Sequence, residues 1–169
     1  CNDDSGKDLR GSYDASSGDL VVSYRDRGSP YYGCVRVIEA DGTRNAKVNT
    51  SSAALTGQGI QCTDVSADPD NTTRFCTIYA KTSGGNQIYA RSFVTSGNSG
   101  SKTSTLDTEV ELGSSNYDTY GNVAVNYWGS DGKICMSYNS TTSDVNHVFM
   151  GQGAGASVSN LTSSNLIGV

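Results

Sequence analysis

The chain is short of the side chains on which most enzymes and nucleic-acid binders rely. Its 169 residues include a single histidine, His147. That excludes most histidine-based metal sites and leaves acid–base catalysis few participants. Positive charge is scarce too: 12 Lys and Arg stand against 17 Asp and Glu, a net charge of −5. No basic stripe is present to hold a phosphate backbone, so nucleic acid is not an expected partner. No apolar run approaches the roughly 18 residues of a membrane-spanning helix. Residues 145–169 carry no charged side chain, yet their Gly, Ser and Asn make them too polar to span. Val, Ile, Leu and Phe number only 30, few for a globular protein. Disorder would also require a high net charge, which is absent. The length and composition therefore read as one folded domain with a thin core.

What is present points to strands. Val outnumbers Leu 14 to 7, Ser and Thr total 41, and there are ten Tyr. Val, Thr and Tyr suit pleated, half-buried strands, whereas a helical protein carries more Ala, Leu, Glu and Lys. No stretch keeps a 3.6-residue period past two turns. The expected class is all-β, with residues 1–10 a polar tether and 11–169 a single β domain.

Five cysteines make an odd set, and one is the first residue. A leading Cys1 followed by the polar run Asn2 to Asp8 fits a bacterial lipoprotein, in which a lipid is attached to that sulfur; the alternative is an arbitrary start. The other four allow two disulfides in an oxidising compartment. A turn at Asp68-Pro69-Asp70-Asn71 would fold 61–79 into a hairpin with Cys62 nearly opposite Cys76. Cys34 would then pair with Cys135, within the chain or between subunits. Free buried thiols are the competing reading. No Cys-x-x-Cys spacing occurs, so neither zinc nor a thioredoxin-type site is expected.

The most informative feature is a weak internal repeat of about 50 residues. Each copy has a turn, an alternating strand ending in Tyr, a loop and a second strand. The first runs through Ser12–Gly18, Asp19–Tyr24 and Gly33–Ile38, the second through Ser66–Asn71, Arg74–Tyr79 and Gln87–Phe93. The third runs through Asn116–Gly121, Asn122–Tyr127 and Lys133–Tyr138. Leu20, Val22 and Tyr24, like Val123, Val125 and Tyr127, alternate with period two and predict one apolar face per strand. The blocks Tyr13–Asp26 and Tyr31–Val35 resemble the repeat of phage-type tail-fibre β-propellers. The closing stretch 161–169 is similar to the segment after the last repeat of such fibres. The resemblance implies a propeller-like, surface-displayed binding module with no catalytic residues to carry over. Three blades do not close a ring, which takes at least four. Either two chains complete six blades, or the repeats pack as a β-sandwich or a β-trefoil, although the Gln-x-Trp signature of sugar-binding trefoils is missing.

Candidate chemistry is limited. Asp14, Asp26, Asp68, Asp70, Asp118 and Asp131 sit beside turn residues, where a carboxylate ordinarily holds nearby backbone amides. Glu39, Glu109 and Glu111 form no convincing acid–base pair, so no enzyme and no cofactor is expected. Neither Asp68–Asn71 nor Asn2–Asp4 matches calcium-loop spacing, and no metal is expected. Tyr24, Tyr79 and Tyr127 read as packing between repeats. Tyr31, Tyr32 and Trp128, in loops near Arg25 and Asp26, offer the stacking face and hydrogen-bonding groups of a sugar site. The leading expectation is an extracellular, cell-surface or virion-surface adhesin or fibre module recognising a surface glycan or cell envelope. The alternative is a structural subunit of an extracellular filament, sheath or surface layer, and a polysaccharide-degrading enzyme comes third. Both leading readings expect a homo-oligomer or polymer.

Overall fold

The computed structural model describes residues 7–26, 33–49, 60–69, 73–81, 87–113, 123–128, 133–139 and 146–151. Every regular element among them is a β-strand, and every pairing is antiparallel. The first sheet runs in chain order through β1 (Lys7–Tyr13), β2 (Leu20–Arg25), β3 (Gly33–Ile38) and β4 (Val48–Asn49). The second contains β5 (Ile60–Ala67), β6 (Arg74–Lys81), β7 (Gln87–Ser96), β8 (Thr103–Leu106) and β9 (Val110–Gly113), with β8 and β9 both pairing β7. The third contains β10 (Val123–Trp128), β11 (Lys133–Asn139) and β12 (Asn146–Gly151). No closed barrel or ring of sheets forms among the described residues. Strand β1 takes up Lys7–Arg10, the end of the expected polar tether. It has no apolar alternation to announce it and is held by backbone pairing to β2 across an irregular register.

Turn chemistry explains the tight connections. The Asp14 carboxylate accepts the Ser16 amide at 2.9 Å, the Ser16 hydroxyl at 2.8 Å and the Ser17 hydroxyl at 2.9 Å. Gly18 then turns the chain at φ 75°, where a side chain would be strained. Burial alone would raise the Asp14 carboxyl, but these donors more than offset it and hold it below its usual range.

The sheets stack one on the next, with β5 in the middle. Val21, Val35 and Val37 of the first sheet share one buried cluster with Val65, Phe75 and Phe93 of the second. Phe75 and Phe93 stack at 5.4 Å between centroids. On the other side of β5, Asp64 Oδ2 accepts the Val125 amide at 2.9 Å and Ser66 Oγ accepts the Tyr127 amide at 3.0 Å. Strand β6 is consequently buried at Phe75 through Lys81, on both faces. Strand β2 departs from the expected single apolar face in the same way. Val21, Val22, Ser23 and Tyr24 are all buried, while Leu20 is partly exposed. Alternation predicts burial of one face only, and stacking buries the second.

The contacts correct the alignment of the third repeat. Ser12 Oγ of β1 accepts the Ala67 amide of β5 at 2.8 Å, and Ser66 Oγ of β5 accepts the Tyr127 amide of β10. Strands β1, β5 and β10 therefore run in the same direction, each the first strand of its sheet and on the inner side where one sheet meets the next. Strand β10 is the counterpart of β1 and β5, not of β2 and β6 as the Tyr-ending alignment implies.

The cysteine pairing also differs from expectation. Cys34 and Cys76 are free buried thiols. The β5–β6 register places Ser66 opposite Cys76, because the turn extends to Arg74, whose carbonyl accepts the Asp68 amide at 2.9 Å. Cys62 lies four residues farther along, roughly 13 Å of strand, beyond the ~7 Å between Cα atoms that a disulfide spans. Cys34 donates to Asn49 Oδ1 at 3.4 Å and forms no disulfide among the described residues.

Candidate functional site

The stack has two chemically distinct ends. One holds the β1–β2 and β5–β6 turns, the β3–β4 and β7–β8 loops and the β10–β11 connection. The other holds the β2–β3 and β6–β7 connections. This geometry separates the residues expected to form one sugar site. Arg25 and Asp26 end β2 at the second end, whereas Trp128 ends β10 at the first. Tyr31 and Tyr32, like Cys1, lie outside the described residues.

At the second end, Asp26 is buried and pairs with Lys47, whose side chain is 35% exposed. The carboxylate thus serves a cross-loop ion pair. The Cys34 thiol lies in the same environment. Burial first, and the Asp26 charge second, push it up to about 12, which makes it a poor nucleophile. In the second sheet, Tyr79 and Lys81 both donate to Glu109, the lysine at 2.7 Å. Lys81 also sits 3.7 Å from the centroid of the Tyr89 ring, which stacks on Tyr79. Burial, and then the Glu109 charge, raise the Tyr79 hydroxyl. Tyr24 and Tyr79 are buried, but they pack within their own sheets rather than between repeats, Tyr24 with Val22 and Cys34 and Tyr79 against Tyr89.

At the first end, a cavity of about 260 Å³ opens between the β1–β2 and β5–β6 turns. Its wall includes Ser12, Tyr13, Asp14, Ser16, Asp68 and Pro69. Tyr13 is 60% exposed, with its hydroxyl toward Gly18 on the face opposite Ser12. Asp14 and Asp68 in the wall are buried, and none of the described lining residues is basic. Ser12 spends one lone pair on the Ala67 amide and keeps its own proton to donate. Two carboxylates and a hydroxyl donor, with an exposed tyrosine close by, suit a neutral, polyhydroxylated ligand. The volume falls below the roughly 300–1,000 Å³ of drug-sized sites, room for one ring rather than a chain. Sequence reading placed Asp14 and Asp68 in turns but did not single out Tyr13. The signal is its neighbourhood, since the same Asp-containing turn recurs at Asp68 and brings the two turns together.

Behind this cavity the sheets are tied by charge. Glu39 Oε1 accepts the Asn45 amide group at 2.8 Å and the Gly100 backbone amide at 2.7 Å, while Oε2 accepts the Ser99 hydroxyl at 2.6 Å. The hydroxyl of Ser99, followed by Asn45 and Gly100, holds the Glu39 carboxyl down at about 2. Lys102 donates to Asp19, and its amide donates to Asn45 Oδ1 at 2.8 Å. No cluster of three or more metal-ligating side chains occurs among the described residues. Comparison with family models, with curated proteins and with solved structures finds no match.

Proposed function

We propose that the chain is a propeller-like, non-enzymatic binding module displayed outside the cell, on a cell surface or on a virion, where it recognises a surface glycan. The observation that carries this reading is the cavity between the first two turns, lined by Ser12 and by the buried Asp14 and Asp68, with the exposed Tyr13 at its rim. Trp128 ends β10 beside Tyr127, whose amide meets Ser66 at this same end. Parallel inner strands in successive sheets support the propeller-like architecture, since such strands bring equivalent turns side by side.

The test is a glycan titration of variants at the two ends. Ala15→Trp fills the cavity from an exposed lining position, Trp128→Ala truncates the last residue of β10, and Arg25→Ala alters the other end. The expected result is at least a tenfold loss for Ala15→Trp, a smaller loss for Trp128→Ala and little change for Arg25→Ala. Loss with Arg25→Ala alone would move the site to the Arg25, Asp26, Tyr31 and Tyr32 end. Saturable binding that none of the three alters would remove the reading. A structural subunit of an extracellular filament, sheath or surface layer is the second reading, favoured by inner-strand contacts that stop at an exposed Asn126.

A further inference from the structure

The contact between inner strands repeats with the same geometry. The residue two before the turn aspartate supplies a hydroxyl, Ser12 in the first sheet and Ser66 in the second. Each hydroxyl accepts a backbone amide of the next inner strand, Ala67 in one step and Tyr127 in the next. Counting along the strands makes Tyr13, Ala67 and Tyr127 equivalent donors and Ser12, Ser66 and Asn126 equivalent acceptors. Among the described residues the series ends at the Tyr13 amide on one side and at the Asn126 side chain on the other.

We propose that copies of this chain join head to tail by repeating the contact once more, Asn126 of one copy accepting the Tyr13 amide of the next. Three features of the molecule support it. The Asp14 amide donates to Asp19 across the β1–β2 pair at 2.9 Å. Antiparallel alternation therefore turns the Tyr13 amide away from β2, toward the free edge. Asn126 is exposed, between the buried Val125 and the half-buried Tyr127. The face of the first sheet that looks away from the second carries an apolar patch, with Leu9 52%, Tyr13 60% and Leu20 36% exposed. Their neighbours in the second sheet are covered, since Thr63 and Val65 are buried and Ala67 packs against the shared core. Farther out on the first sheet's face Val22 and Tyr24 are already buried, so the joint belongs to the inner strand. A second copy is the occupant these features fit, because the surface they lack is the one that the chain already presents twice. Such an interface is heterologous: it closes as a ring when the rotation allows and otherwise continues as a filament. Three sheets are too few to close alone.

The test is light scattering of the untagged full chain across a concentration range, with reductant present so that disulfide-linked species do not contribute. Wild type should assemble, as a discrete dimer if two copies close a ring or as a longer polymer if they do not. Asn126→Lys and Tyr13→Pro, which remove the acceptor and the donor, should each weaken association at least tenfold. Pro is tolerated on an edge strand where its nitrogen faces outward. Asn126→Ser installs the residue found at positions 12 and 66 and should keep the assembly. Circular dichroism checks that each variant is folded; should Tyr13→Pro unfold, the exposed Asn126→Lys decides alone. A wild-type chain that stays monomeric to about millimolar concentration, or an assembly indifferent to Asn126→Lys, overturns the proposal. Either outcome leaves the glycan reading standing on its own titration.

Discussion

The two ends of the stack use their charges differently. At the end with the turns, ionic contacts cross from one sheet to the next: Glu39 of the first meets Ser99 and Gly100 of the second, and Lys102 of the second meets Asp19 of the first. At the opposite end the ion pairs stay home. Asp26 and Lys47 both belong to the first sheet, and Lys81 and Glu109 both belong to the second. The first arrangement fixes the relative position of two sheets and so holds a cavity of defined width between them. The second stabilises each sheet from within. A preformed site is therefore expected where the sheets are tied.

Substitutions sharpen this contrast. The largest effect is expected from Glu109→Ala, which strands the buried Lys81 ammonium and the Tyr79 hydroxyl inside the second sheet. Loss of one partner of a buried pair should cost about 3 kcal/mol in denaturant unfolding. Hydrogen exchange should quicken around β6, β7 and β9 but not in the 39–45 loop. Protection lost in both sheets would mean that the ends are not independent. Glu39→Ala should lower the melting temperature by roughly 5 °C and quicken exchange in both 39–45 and 97–102. Because the folded Glu39 carboxyl is held down at about 2, below its usual 4.5, its contribution is complete above pH 4.5 and disappears as pH falls toward about 2. Glu39→Gln should flatten that acid limb of the stability profile, and an unchanged limb would assign it to other carboxylates. The smallest effect belongs to Lys47→Ala, where the lysine is 35% exposed and screened by water. Less than about 1 kcal/mol is expected, shrinking further in salt.

The sequence made the strands legible and left the stacking obscure. Gly33–Ile38 is a strand at the boundaries read from the residues, and Arg74–Tyr79 and Lys133–Tyr138 are strands lengthened slightly. Their β-branched and aromatic residues bounded by turn chemistry are a local signal. The equivalence of β10 was misread because a terminal Tyr is common to Tyr24, Tyr79 and Tyr127, whereas the feature that repeats in space is the hydroxyl two positions before the turn Asp. At Asn126 that hydroxyl is replaced, so the third copy hides its identity. The cavity was only half visible. Asp14 and Asp68 stood out as turn formers, but that their two turns would enclose a cavity depends on how the first two sheets approach each other. Cys76 was misassigned for a related reason, since three extra residues in the turn move the register by more than a disulfide can bridge.

The seclusion of Cys34 and Cys76 has a kinetic meaning. Cys34 is 1% exposed and Cys76 fully enclosed, and burial raises both thiols far from the reactive thiolate. Cys34 sits on the outer strands of the first sheet, and Cys76 lies between the second sheet and Tyr127 of the third. An alkylating reagent that reaches Cys76 must wait for those two sheets to part, while one that reaches Cys34 must wait for the cluster of Val22, Tyr24 and Cys34 on the first sheet to open. The two sulfurs are therefore built-in clocks, one timing the separation of neighbouring sheets and the other the opening of the first sheet.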